Sequence, residues 1–206
     1  MRRDCRFKKA GISSLGIKKV NLIRSLTAGL IGGAAYIVVG DVLPAIMYGW
    51  GLEPPGYIFS RLAYFIFLIA LFEEIIFRGY IQTRLYGLIK NDVLAVSTGA
   101  LMFSLMHAPA QLASGNRVFD ASFVLWLAFT FIMHIVFTAL YRKFNSAAGP
   151  VIFHALWNFR GEMFTYSDPP WWYENFSVIV YLLLTCGICV YYFTCVSREK
   201  LMDKKT

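Results

Sequence analysis

Residues 57–78 read YIFSRLAYFIFLIALFEEIIFR, and the fold is decided there. From Leu62 to Phe72 no side chain is charged. A helix needs roughly 20 mostly apolar residues to cross a bilayer, and this stretch supplies them. It ends on Glu73, Glu74 and Arg78, all still flanked by apolar residues. Ionisable groups inside a span are costly and by default mark function.

The rest of the 206-residue chain has the same character, with 58% hydrophobic and 16% charged residues. Soluble domains carry about 45–50% apolar and about 25% charged residues. High hydrophobicity excludes disorder, and 4 cysteines in so long a chain exclude a disulfide scaffold. The net charge of +8 sits in short segments between apolar runs, which argues against a nucleic-acid partner. The expected fold is therefore all-α, a polytopic transmembrane helix bundle.

Six spans are expected, at about 25–49, 57–78, 93–108, 121–141, 146–165 and 175–196. Sixteen of the 20 Lys and Arg residues fall in the tails and in the second and fourth connections. The opposite connections hold only Arg117, so both termini are expected to be cytoplasmic. The chain divides into a basic N-terminal tail (1–24), a transmembrane helical domain (25–197) and a basic C-terminal tail (198–206). The first span is too long, and its basic leader too extended, for a cleaved signal peptide. Gly29 and Gly33 form a GxxxG in that span, which either admits a neighbouring helix or arises by chance. Cys186, Cys189 and Cys195 in the last span read as small packing residues.

Three polar clusters interrupt the apolar runs. Glu74 and Arg78 are four apart in the order that favours an ion pair, which leaves Glu73 without a local partner. A desolvated carboxylate suits a general base. His107 is expected to close its helix just before Pro109, with Phe103 one turn earlier. His154 and Asn158 share a helix face, Glu162 extends it by a turn, and Arg160 lies nearby. Such a His/Asn pair either stabilises an oxyanion or joins helices by polar contacts. Asp41 and Arg61 are expected to be structural, and His134 to pack or hydrogen-bond within its helix bundle. Three clusters on three spans imply one shared site. His107 lies further out than the other two by about 10 Å, at 1.5 Å rise per residue. Helix tilt or a re-entrant segment at 79–91 would close that gap.

In order and spacing, EEIIFR (73–78), FSLMH (103–107) and HALWN (154–158) resemble the EExxxR, FxxxH and HxxxN motifs of the CPBP family. These are the CAAX proteases, bacteriocin-processing enzymes and Abi-like proteins, and the resemblance covers roughly residues 57–165. It implies an intramembrane endopeptidase of glutamic type in which Glu73 and His107 activate a water. His154 and Asn158 would stabilise the tetrahedral oxyanion, supported by Glu74, Arg78 and Phe103. That mechanism uses no cofactor. Zinc is the alternative, since relatives have also been described as metalloproteases, and its ligands would be Glu73, His107 and His154. HExxH is absent and Asn is a poor zinc ligand.

The implied partners are a peptide or membrane-protein substrate and the lipid bilayer. No feature selects among a prenylated C-terminal tail, a peptide leader and a membrane anchor segment, or fixes the oligomeric state. Small size and the lack of eukaryotic retention signals point to a prokaryotic cell membrane. Two other functions fit less well. One is a non-catalytic binding or bacteriocin-immunity protein of the same fold. The other is a small transporter with a proton relay, for which internal repeats would be expected.

Overall fold

The computed structural model describes residues 21–115, 117–165, 179–180, 183 and 185–187. Regular structure among them is helical, apart from one antiparallel bridge between Leu52 and Phe164. α1 (Leu22–Ile37) passes through a π-helical stretch, Val38–Val42, into α2 (Leu43–Tyr48). Pro44 follows the widened turn directly, so the helix runs past the proline and ends only at Gly49, φ 67°.

The stretch quoted at the outset lies in one unbroken helix from Pro55 to Leu88. It comprises α3 (Pro55–Tyr64), π-helical Phe65–Ala70, α4 (Leu71–Glu74), π-helical Ile75–Ile81 and α5 (Gln82–Leu88). Glu73 and Glu74 thus stand between two widened turns, a feature often found at functional sites. Residues 79–88 continue the same helix instead of turning back, so the re-entrant segment at 79–91, offered beside helix tilt as a way to bring His107 closer, is not formed there.

α6 (Asp92–Ala113) starts at Asn91, whose side chain accepts from Val93 N and Leu94 N. It was expected to stop at His107, yet Pro109 lies inside it and the helix reaches Ala113. A proline forfeits one backbone bond, a cost that a packed membrane helix can absorb. α7 (Ala121–Phe144) starts at Asp120, which accepts from Phe123 N at 2.9 Å and from Ser122 Oγ at 2.7 Å. Those donors hold the Asp120 carboxyl below the usual carboxylate range. α7 ends with Arg142 and Lys143 in its last turn and Asn145 in the left-handed conformation. Ser104 Oγ donates to the Leu127 carbonyl at 2.7 Å and Thr130 Oγ1 to Ser104 Oγ at 3.1 Å, joining α6 to α7.

α8 (Ala148–Phe159) packs along α1 through its small residues. A Cβ on Gly29 would collide with the Gly149 carbonyl, and one on Gly33 would lie 2.6 Å from Leu156 Cβ. Ser25 Oγ accepts from Gly149 N at 2.9 Å, in the same seam. The GxxxG of the first helix is therefore a contact surface. Tyr36, Met133, Val136, Phe137 and Phe153 form the main core between α1, α7 and α8.

Three described helices are long and apolar enough to cross a membrane: Leu22–Tyr48, Asp92–Ala113 and Ala121–Phe144. That is fewer than the six spans expected. The fifth expected span shrinks to the 12 residues of α8, about 18 Å against a hydrocarbon core of about 30 Å. The second carries four ionisable groups, Arg61, Glu73, Glu74 and Arg78, and contains two π-helical stretches. The sixth, 175–196, lies almost wholly outside the described residues, as do both tails and Cys189 and Cys195.

Candidate active site

The two adjacent glutamates point different ways, as the roughly 100° between successive helical residues requires. Glu74 and Arg78 are fully buried, with Arg78 NH1 2.9 Å from Glu74 Oε1. The same Oε1 lies 2.9 Å from His154 Nδ1. Glu74 therefore holds both a helical neighbour and a ring 80 residues away on α8. The expected pairing with Arg78 is present, and the bond to His154 adds to it.

Glu73 faces the other side, 22% exposed. Its Oε2 lies 3.6 Å from His107 Nε2 and 3.8 Å from His154 Nε2. Both separations exceed a direct hydrogen bond, and Oε2 has no hydrogen-bond partner among the described residues. His107 Nδ1 lies 2.7 Å from the Phe103 carbonyl, one turn back along α6. A carbonyl only accepts, so His107 Nδ1 carries hydrogen. His154 Nδ1 is committed in the same sense to the Glu74 carboxylate. Each ring thus presents its Nε2 to Glu73.

Aromatic rings fix these side chains. Phe103 meets His107 edge-on at 4.7 Å and His154 at 6.0 Å. Its face lies 5.0 Å from the Arg78 guanidinium. Phe137 stacks on His154 at 4.9 Å, and Trp126 meets His107 at 6.1 Å. Phe137 and Trp126 escaped the sequence reading because aromatic residues are scattered throughout the chain.

Glu73, Glu74, Arg78, Phe103, His107 and His154 therefore converge. The distance expected to separate His107 from the others is closed by side-chain contact. Asn158 lies one turn beyond His154 and is half-buried. Glu162 does not extend that face, because α8 ends at Phe159. It pairs instead with Arg61 at 2.5 Å and accepts from Tyr57 Oη at 2.6 Å. Asp41 accepts from Gly161 N at 3.0 Å. His134 is fully buried and bonds to Gln82, 3.2 Å away. Among the described residues no three His, Cys, Asp or Glu side chains are arranged to hold a metal ion.

A helical bundle with membrane-length apolar helices and a buried Glu/His/Arg cluster defines an integral membrane protein with hydrolase-like groups. The sequence profile of the type II CAAX prenyl endopeptidase Rce1-like family matches residues 55–160, which contain the whole cluster. The chain belongs to that family and is a CAAX-type membrane protease. No curated protein and no solved structure matches it.

Proposed function

We propose that the protein hydrolyses a peptide bond at or within the bilayer, using Glu73 as general base on a water held between Glu73 and His107. One observation carries this reading. A buried carboxylate oxygen without a hydrogen-bond partner faces two imidazole Nε2 atoms, at 3.6 and 3.8 Å. Such spacing suits a bridging water. With hydrogen on Nδ1, neutral His107 offers a lone pair at Nε2, so the water gives one hydrogen to it and the other to Glu73.

As Glu73 takes the proton, the water oxygen bonds to the carbonyl carbon of the substrate. The tetrahedral oxyanion then needs donors. His154 gives its Nδ1 hydrogen to Glu74, so it donates from Nε2 only as imidazolium. Asn158 NδH2, one turn along α8, is the second donor. The C–N bond breaks as the Glu73 proton passes to the leaving amine. No step requires a metal, and chelators are expected to leave the rate unchanged.

The substrate class favoured is a lipid-modified peptide tail. An apolar cavity of about 250 Å³ between α1, the 55–88 helix and the start of α8, lined by Leu71 and Val151 among others, supports an apolar anchor taken up by the bundle. Matched prenylated and unmodified peptides presented to the purified protein in vesicles test this. Faster cleavage of the prenylated peptide is expected. Equal rates would remove the lipid from the recognition.

A further inference from the structure

We infer that two facing polar stripes below the site form an internal water path to it from the face bearing Arg84, Lys90, Arg142 and Lys143. On the 55–88 helix, Glu74, Arg78, Gln82 and Tyr86 recur every fourth residue, and so share one face. On α7, His134, Thr138 and Arg142 do the same. The stripes touch at each level. Arg78 NH2 donates to the His134 carbonyl at 3.3 Å, Gln82 Oε1 meets His134 Nε2 at 3.2 Å, and Arg142 NH1 donates to Tyr86 Oη at 3.4 Å. Arg142 also reaches Asp92 at 3.3 Å, at the start of α6. The upper end is the Glu74 carboxylate that holds His154.

A structural seam would bury its polar atoms paired. This one does not. Glu74 Oε2, Arg78 Nε, His134 Nδ1 and Thr138 Oγ1 are all buried without a hydrogen-bond partner among the described residues. Leaving such atoms dry forfeits their hydrogen bonds to water with nothing in return, whereas an internal water needs two to four polar partners of this kind. The four follow one another down the two stripes, ending against Glu74. Gly99 lets α6 close over the stripes at the Gln82–His134 level: a Cβ there would lie 3.0 Å from His134 Nε2 and would strike Gln82 Oε1. Hydrolysis consumes one water per peptide bond, and lipid supplies none. The inference rests on the proposed hydrolysis for its purpose, but the path can be measured without it.

The test is radiolytic hydroxyl labelling of the full chain in lipid nanodiscs, read by mass spectrometry. Radicals formed from internal water oxidise side chains next to it, even fully buried ones. After correction for intrinsic reactivity, His134 is expected to be labelled much faster than Phe153, which is equally buried but lies in the apolar core. Labelling of His134 no faster than Phe153 overturns the path. Gln82→Met with Thr138→Val is expected to lower His134 labelling to the Phe153 level and to slow cleavage. Should the double variant not fold, Thr138→Val alone, which leaves the Gln82–His134 bond intact, is expected to lower both in part. Unchanged cleavage in a variant whose labelling has fallen overturns the supply role. An inactive wild type with strong His134 labelling sinks the hydrolytic reading and with it that role, and leaves the water itself established.

Discussion

Glu74 Oε1 accepts from Arg78 and from His154, and this double use sets the expected behaviour of both glutamates. Glu74→Gln leaves Arg78 as an uncompensated buried charge, which costs about 3–5 kcal/mol. Adding Arg78→Met removes that charge and is expected to restore much of the melting temperature in detergent. Activity should stay low in the double variant, because His154 loses the carboxylate that holds its Nδ1 and aims its ring at the site. Recovery of both together would mean that Glu74 serves only as a partner for Arg78. The Glu74–Arg78 pair was legible from the sequence, since four-residue spacing on a helix forces contact. The bond to His154 was not, because nothing local reports a contact across 80 residues. Glu73 was legible as the carboxylate left over.

At the scale of elements, α8 carries His154 and Asn158 but has only 12 residues. It is held by α1, an element outside the matched family segment. Gly29→Ala is expected to push α1 from α8 at the cost typical of overpacking, about 1–3 kcal/mol, and to lower both melting temperature and cleavage. Gly56→Ala is the control: a Cβ there meets no atom within 4 Å. It should be neutral, or stabilising by up to about 1 kcal/mol through helix propensity. Equal effects at the two positions would deny the close approach. Most helices could be read from the apolar runs, while their ends could not. Pro109 looked like a stop and is not one, because the neighbours of α6 decide whether a proline is tolerated. Conversely, the fifth apolar run looked long enough to span, yet α8 ends at Phe159. Two of the three residues that follow, Gly161 and Glu162, are drawn into contacts with Asp41 and Arg61.

For the whole molecule, the basic residues are expected to place both termini in the cytoplasm. Cys5, which lies outside the described residues, should then resist an impermeant thiol reagent applied to intact cells and react once they are opened. Reaction in intact cells would invert the orientation. A binding or immunity protein of the same fold would insert and melt normally without turnover. The most direct measurement is cleavage of a prenylated peptide by purified wild type and Glu73→Gln in the same lipid, with membrane insertion and melting temperature recorded for both. Loss of a general base lowers rates by about 10²–10⁴. The expected result is that loss with unchanged insertion and a melting temperature equal to or above that of wild type, since Glu73 Oε2 has no hydrogen-bond partner among the described residues to lose. Cleavage by Glu73→Gln at the wild-type rate would contradict the account.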